Sequence, residues 1–218
     1  GASRLPWVRA RSEARAQAQA LDAALDRWSA SGKDHRLRAY PDDDLLEQAV
    51  ARGDTRAAVV LGWKRLVAPG GSVDAAAVRD LFDRAARTPP ADPRLTTAVV
   101  IGQARLALPP PRGRPSPADL QAAIARLDDL GHGAALPPEG LYTLALLHLA
   151  RPAVGTVAGL AALQQAADAG HPGACLDLGR RLAAGQGLPR DTAAARRYIT
   201  FAAGKGVPEA GLVLASLR

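Results

Sequence analysis

Chemistry in this chain would have to start from residues able to move protons, hold metals or attack a substrate, and these are few. The histidines are His35, His132, His148 and His171. None stands in His-Glu-x-x-His or another ligand spacing, so no metal site is predicted. His132 and His171 each follow a glycine at a predicted helix break, where an imidazole serves as a cap or a packing group. His148 lies in the apolar run Leu144–Leu149 and is expected to be a core residue with a bonding partner. Glu13, Glu47, Glu139 and Glu209 are scattered, and three of them fall near predicted helix starts, where the dipole favours a negative charge. Asp128 and Asp129 are neighbours on a predicted helix and point in different directions, unlike two carboxylates built to share a substrate. Asp42, Asp43 and Asp44 precede Leu45-Leu46 and read as an N-cap with first-turn charges rather than a metal cluster. Cys175 is the sole cysteine, so neither an intrachain disulfide nor a thiolate metal site can form. It reads as a small buried residue on a helix. Gly185-Gln186-Gly187 resembles a phosphate loop only superficially, because it joins two predicted helices and no lysine follows. Neither Gly-x-Ser-x-Gly nor a dinucleotide fingerprint occurs. The expectation is a chain with no catalytic residues, no cofactor and no metal.

The composition points to helices. Hydrophobic residues make up 48% and aromatic residues only 4%, with alanine dominant. Alanine is the best helix former, and its small side chain lets helices approach closely. Valine and isoleucine never form the alternating runs that strands require. The formal charge is +7 and invites a nucleic-acid reading. Eight basic and four acidic side chains within residues 1–40 supply most of it, with no dense basic cluster and no interleaved aromatics. Nucleic acid is therefore not the expected partner. The longest apolar runs fall far short of the roughly 18–20 residues that span a bilayer, so no transmembrane segment is expected. The chain contains no methionine and is read as processed or trimmed, which is compatible with export.

The elements follow from periodicity and punctuation. Residues 5–30 are predicted to form one amphipathic helix, with Trp7, Ala14, Ala18, Leu21, Leu25 and Trp28 along one stripe. Pro6 suits its first turn, and Gly32 is a stop signal beyond its end. Helices of about 12–16 residues then alternate with breaks such as Gly53-Asp54, Pro69–Ser72, Thr88–Pro93, Pro109–Pro117, Gly131–Gly133, Gly170–Pro172, Gly185–Asp191 and Gly204–Pro208. Only Pro109–Pro117 is long enough to protrude. The expected organisation is an N-terminal helix and connector over residues 1–40, and a single helical domain over residues 41–218.

The helices repeat. Ala174-x-x-x-Leu178-Gly179 recurs as Ala210-x-x-x-Leu214-Ala215, and Ala166-Ala167-x-x-Gly170 recurs as Ala202-Ala203-x-x-Gly206, both 36 residues apart. Residues 174–206 resemble a Sel-one-like repeat, the variable-length relative of the tetratricopeptide repeat. Ala174, Leu178 and Gly179 match its first helix, with Leu182 in place of the usual tyrosine. Gly185-Gln186-Gly187-Leu188 and Asp191 match its loop and acidic second-helix start. Ala195, Tyr198, Ile199, Ala202, Ala203 and Gly206 match its second helix. Leu61-Gly62, Ile101-Gly102 and Leu144-Ala145 hold the Leu-Gly place of earlier copies, at uneven spacings of 40, 43 and 34 residues. About four units are expected over residues 45–206, closed by Ala210–Arg218.

The resemblance implies an all-α, right-handed superhelical solenoid of helix-turn-helix repeats. It implies a non-enzymatic scaffold or adaptor for a protein or peptide partner, in a bacterial envelope assembly, signalling or exopolysaccharide-export system. The compartment it suggests is the periplasm, with the cytoplasm as the alternative. In such hairpins the side chains two before and two after the first-helix leucine face a groove. Here these are Val59, Trp63, Val99, Gln103, Tyr142, Leu146, Leu176 and Arg180, a mixture of apolar anchors and polar reach. The alternative functions are a helical-repeat RNA-binding protein and a solenoid accessory module of a cell-wall or glycan enzyme.

Overall fold

The computed structural model describes residues 5–29, 40–68, 73–88, 92–110 and 113–217, leaving aside the side chains of Leu25 and Arg27–Ser29. His35, the stop at Gly32, the Pro69–Ser72 break, parts of the Thr88–Pro93 and Pro109–Pro117 breaks, and the Leu25 and Trp28 positions of the first stripe lie outside this description. Among the described residues there are eleven α-helices and no strand. They are α1 (Pro6–Ser29), α2 (Asp43–Ala51), α3 (Thr55–Leu66), α4 (Ala75–Arg87), α5 (Pro93–Arg105), α6 (Pro117–Gly133), α7 (Pro138–Leu149), α8 (Thr156–Asp168), α9 (Pro172–Ala184), α10 (Thr192–Gly204) and α11 (Pro208–Ser216).

Local chemistry explains most boundaries. The Asp54 side chain accepts from the Arg56 and Ala57 amides at the start of α3, and Asp74 accepts from Ala77 at the start of α4. Ser116 accepts from Asp119 ahead of α6, and Asp191 from Ala194 ahead of α10. Each such cap is worth about 1 kcal/mol. Asp42 is the N-cap of α2 but makes no side-chain capping bond. Asp43, one residue on, instead pairs with Lys64 at 2.6 Å. The helix α9 ends at Gly185, whose φ of 69° is left-handed, and Gly187 at 74° completes the turn. Both positions need glycine because a Cβ strains that conformation. One expected break is displaced. Gly131-His132-Gly133 is the last turn of α6, and the chain leaves the helix only at Ala134.

Two compact units divide within α5, between Val99 and Val100. In the first, α1 and α2 pack on α3, and α3 packs on α4. A Cβ built on Gly62 of α3 would lie 2.9 Å from a Phe82 ring carbon, so that glycine lets α4 lie close. In the second unit, α7 pairs with α8 and α9 with α10, while α6, α8 and α11 join successive neighbours. Its core is built from alanines such as Ala145, Ala166, Ala174 and Ala202, filled in by Leu163, Leu178 and Ile199. Gly179 lies so near Ile199 that a Cβ there would fall 2.4 Å from the isoleucine Cγ1. Small residues on one helix facing branched ones on the next is how these thin helices reach close packing.

Candidate functional site

The second unit gathers polar side chains from three helices. Arg105 is the last residue of α5 and Glu139 the second residue of α7, each at the helix end whose dipole favours its charge. Arg105 Nη1 donates to Glu139 Oε1 at 2.5 Å and to Thr143 Oγ1 at 3.3 Å. The other carboxylate oxygen, Oε2, lies 2.5 Å from His171 Nε2. His171 is the N-cap of α9, and its Nδ1 accepts the Ala174 amide at 3.1 Å. That bond places the ring proton on Nε2, from which it is donated to Glu139. Glu139, Thr143 and His171 are all buried.

Tyr142 closes the cluster. Its ring centre is 4.4 Å from that of His171, tilted by 37°, and the Arg105 guanidinium carbon lies 5.3 Å from the same tyrosine ring. The phenol donates to Asp177 Oδ2 on α9 at 2.6 Å. Burial, followed by the Asp177 charge, pushes the Tyr142 pKa well above the ordinary tyrosine value. The arrangement clamps α5, α7 and α9 in one register. Because His171 is fully buried with both ring nitrogens bonded, it has no nitrogen to offer a substrate. A smaller clamp joins α8 to α10. Tyr198 donates to Asp168 at 2.8 Å, and Gln164 donates to both of them.

The eight groove positions expected from the sequence separate into two classes. Val59, Trp63, Val99 and Leu176 are core residues, each 5% exposed or less. Trp63 is held inside the first unit because its indole N–H donates to the Ala98 carbonyl at 3.0 Å and its ring meets the Phe82 edge. These four have no surface for a partner in this conformation. Within the second unit, Gln103, Tyr142 and Leu146 are half-buried and Arg180 is exposed. Gln103 accepts from Arg126 of α6 at 2.7 Å.

The histidines and acids can be placed in the same way. His171 is the cap its position suggests, with a carboxylate partner besides. His132 is exposed, and His148 is half-buried in the last turn of α7, with its pKa lowered by burial. Cys175 is buried, and burial pushes its thiol pKa up to about 11. Glu139 does sit in a first turn, but the dipole is only part of its environment. Arg105, Thr143 and Asp177 carry no motif at all. The one sequence signal that could have found them is their offset. The bonds Arg105–Glu139 and Tyr142–Asp177 span 34 and 35 residues, close to the 36 that separate the recurring alanine-leucine landmarks of the sequence.

Among the described residues, no group of three or more His, Cys, Asp or Glu is placed to hold a metal ion. No described helix is long and apolar enough to cross a membrane. In the first unit a surface hollow of about 240 Å³ is lined by Asp54, Thr55, Arg84 and Thr88 among others. It is smaller than the roughly 300–1,000 Å³ typical of small-molecule sites. No protein-family model matches the chain, and no curated protein matches its sequence.

Proposed function

We propose that this chain is a helical-hairpin repeat scaffold of the Sel-one-like kind, which binds a protein or peptide partner and carries out no catalysis of its own. The observation that supports this best is that the polar bonds joining α3 to α5, α5 to α7 and α7 to α9 all span 32 to 38 residues. Trp63 reaches Ala98 over 35 residues, Arg105 reaches Glu139 over 34, and Tyr142 reaches Asp177 over 35. Stacked two-helix units produce such an offset, since equivalent positions of successive first helices meet in each unit. On this reading the helices wind as a right-handed superhelix, and a partner meets the first helices of the second unit. The row left accessible there is Gln103, Tyr142, Leu146 and Arg180. The resemblance further suggests a periplasmic role in envelope assembly, signalling or polysaccharide export.

The test is affinity capture with the full chain, from whole-cell and periplasmic extracts, with and without nuclease. A discrete protein that survives nuclease and is lost with Arg180→Glu is the expected result. Arg180 is exposed, so that variant should fold as the wild type does. Recovery of RNA, with every protein partner lost on nuclease treatment, would overturn the reading. The basic charge would then belong to the mechanism.

A further inference from the structure

The apolar stripe of α1 extends beyond the surface it packs on. Its polar and apolar links to the rest of the first unit, among the described residues, run from Gln17 onward. Gln17 accepts from Arg52, Asp22 and Asp26 pair with Arg56 and Arg94, and Leu21 and Ala24 are buried. Residues 6–16 are exposed apart from half-buried Val8, and Trp7 is 59% exposed. At about 1.5 Å per residue this first half is about 16 Å long.

The stripe itself says what would cover it. Trp7, Ala14 and Leu21 recur every seven residues, and Ala18 divides the last interval into four and three. That spacing keeps a narrow seam facing one neighbouring helix, as in a coiled coil. Its Leu21 end is buried within the first unit, where α1 lies on α3. Ala10, Ala14 and Ala18 allow a second backbone to come close, but they offer a bilayer little apolar area to insert. The charge is one-sided as well. Arg9, Arg11 and Arg15 are exposed here against Glu13 alone, and the Arg11 guanidinium lies 5.7 Å from the Trp7 ring. Arg11 stands one heptad before Ala18, within the seam between Trp7 and Ala14, and Arg15 lies one turn further on at the edge of the seam, where paired helices exchange ion pairs. An antiparallel second copy would bring these arginines against their own kind.

We propose that the exposed half of α1 docks an acidic amphipathic helix of a partner protein. Large apolar residues of that helix would cover Ala14 and flank Trp7, and its carboxylates would meet Arg11 and Arg15. The proposal deepens the protein-binding reading and rests on it. It assigns partner binding to an element distinct from the first helices of the second unit.

The test uses the full chain and two labelled synthetic heptad peptides with leucine at the seam. One peptide carries glutamate at the flanking positions and the other carries lysine, and binding is read by fluorescence anisotropy. The acidic peptide should bind and the basic one should not. Added salt should weaken binding, and so should Trp7→Ala and Arg11→Glu/Arg15→Glu, each by about tenfold or more. The melting temperature of the variants should be unchanged, because the altered side chains are exposed. Equal binding of both peptides, unchanged affinity in the variants, or no binding of the acidic peptide would overturn the proposal. So would binding of phosphatidylglycerol vesicles or single-stranded RNA in its place. Failure here with capture through Arg180 intact sinks only this docking site, whereas loss of both sinks the scaffold reading too.

Discussion

Replacing Glu139 with alanine removes the one carboxylate that answers both Arg105 and His171. Glu139 is 6% exposed and the Arg105 side chain 18%, so little water can stand in for the lost oxygens. A hydrogen bond to a charged group contributes about 1.5–3 kcal/mol, and breaking a buried pair by removing one partner costs about 3–5 kcal/mol. Arg105 keeps Thr143 as an acceptor and retains some solvent, which places the expected loss near the lower end, about 3 kcal/mol. That is a large share of the roughly 5–15 kcal/mol that holds a domain together. Urea unfolding followed by far-ultraviolet circular dichroism would measure it on the wild type, Glu139→Ala, Arg105→Met and the double variant. The two single losses should exceed the double one by about 1 kcal/mol or more, because each single variant strands a charge that the double variant removes. A loss below about 1 kcal/mol for Glu139→Ala, with no coupling to Arg105, would refute the buried clamp.

Two glycines should respond with opposite signs. Gly179→Ala drives a Cβ into Ile199 Cγ1 and to 3.1 Å from the Ala195 carbonyl, and should cost about 1–3 kcal/mol despite alanine's better helix propensity. Gly211→Ala on α11 meets nothing within 4 Å and should stabilise by up to about 1 kcal/mol; the melting temperatures of the two variants check both signs. Alkaline stability should depend on Tyr142. The folded state holds its phenol proton more tightly than the unfolded chain does, so this contribution is complete below the ordinary tyrosine pKa of about 10 and is lost as pH rises above it. Wild type should therefore lose stability faster than Tyr142→Phe above about pH 10, and parallel pH profiles would show that the phenol is not held in this way.

The helices were legible because their boundaries are local decisions. Asp54, Asp74, Ser116 and Asp191 cap amides two or three residues away, and Gly185 ends α9 through its own φ. Where competition is close, the local reading slips. Gly131 and Gly133 look like a break, yet α6 continues through them, since an exposed glycine costs a helix only about 1 kcal/mol and Leu120, Ile124 and Leu127 bury the rest of the helix.

The candidate site was much less legible. Glu139 and His171 each have a sound local explanation, as a first-turn charge and an N-cap. Both explanations hold in the structure, and neither implies the other residue. Trp63 and Leu176 were expected on a surface by their place in a hairpin, and both are core. An aromatic at such a position faces whichever side offers it volume and a hydrogen-bond acceptor. For Trp63 that acceptor is a carbonyl on another helix.

The sequence alone therefore determined an all-helical chain, the approximate limits of most helices and a buried thiol. Each of these depends on interactions within one helix or one turn, and a string of residues carries that information directly. Only the tertiary structure decided that Arg105, Glu139, Tyr142, His171 and Asp177 form one clamp, that four expected groove residues are core, and that half of α1 extends past its packing surface. Those outcomes turn on which helix faces lie opposite each other and at what distance, and side chains some 35 residues apart meet only once the helices have packed.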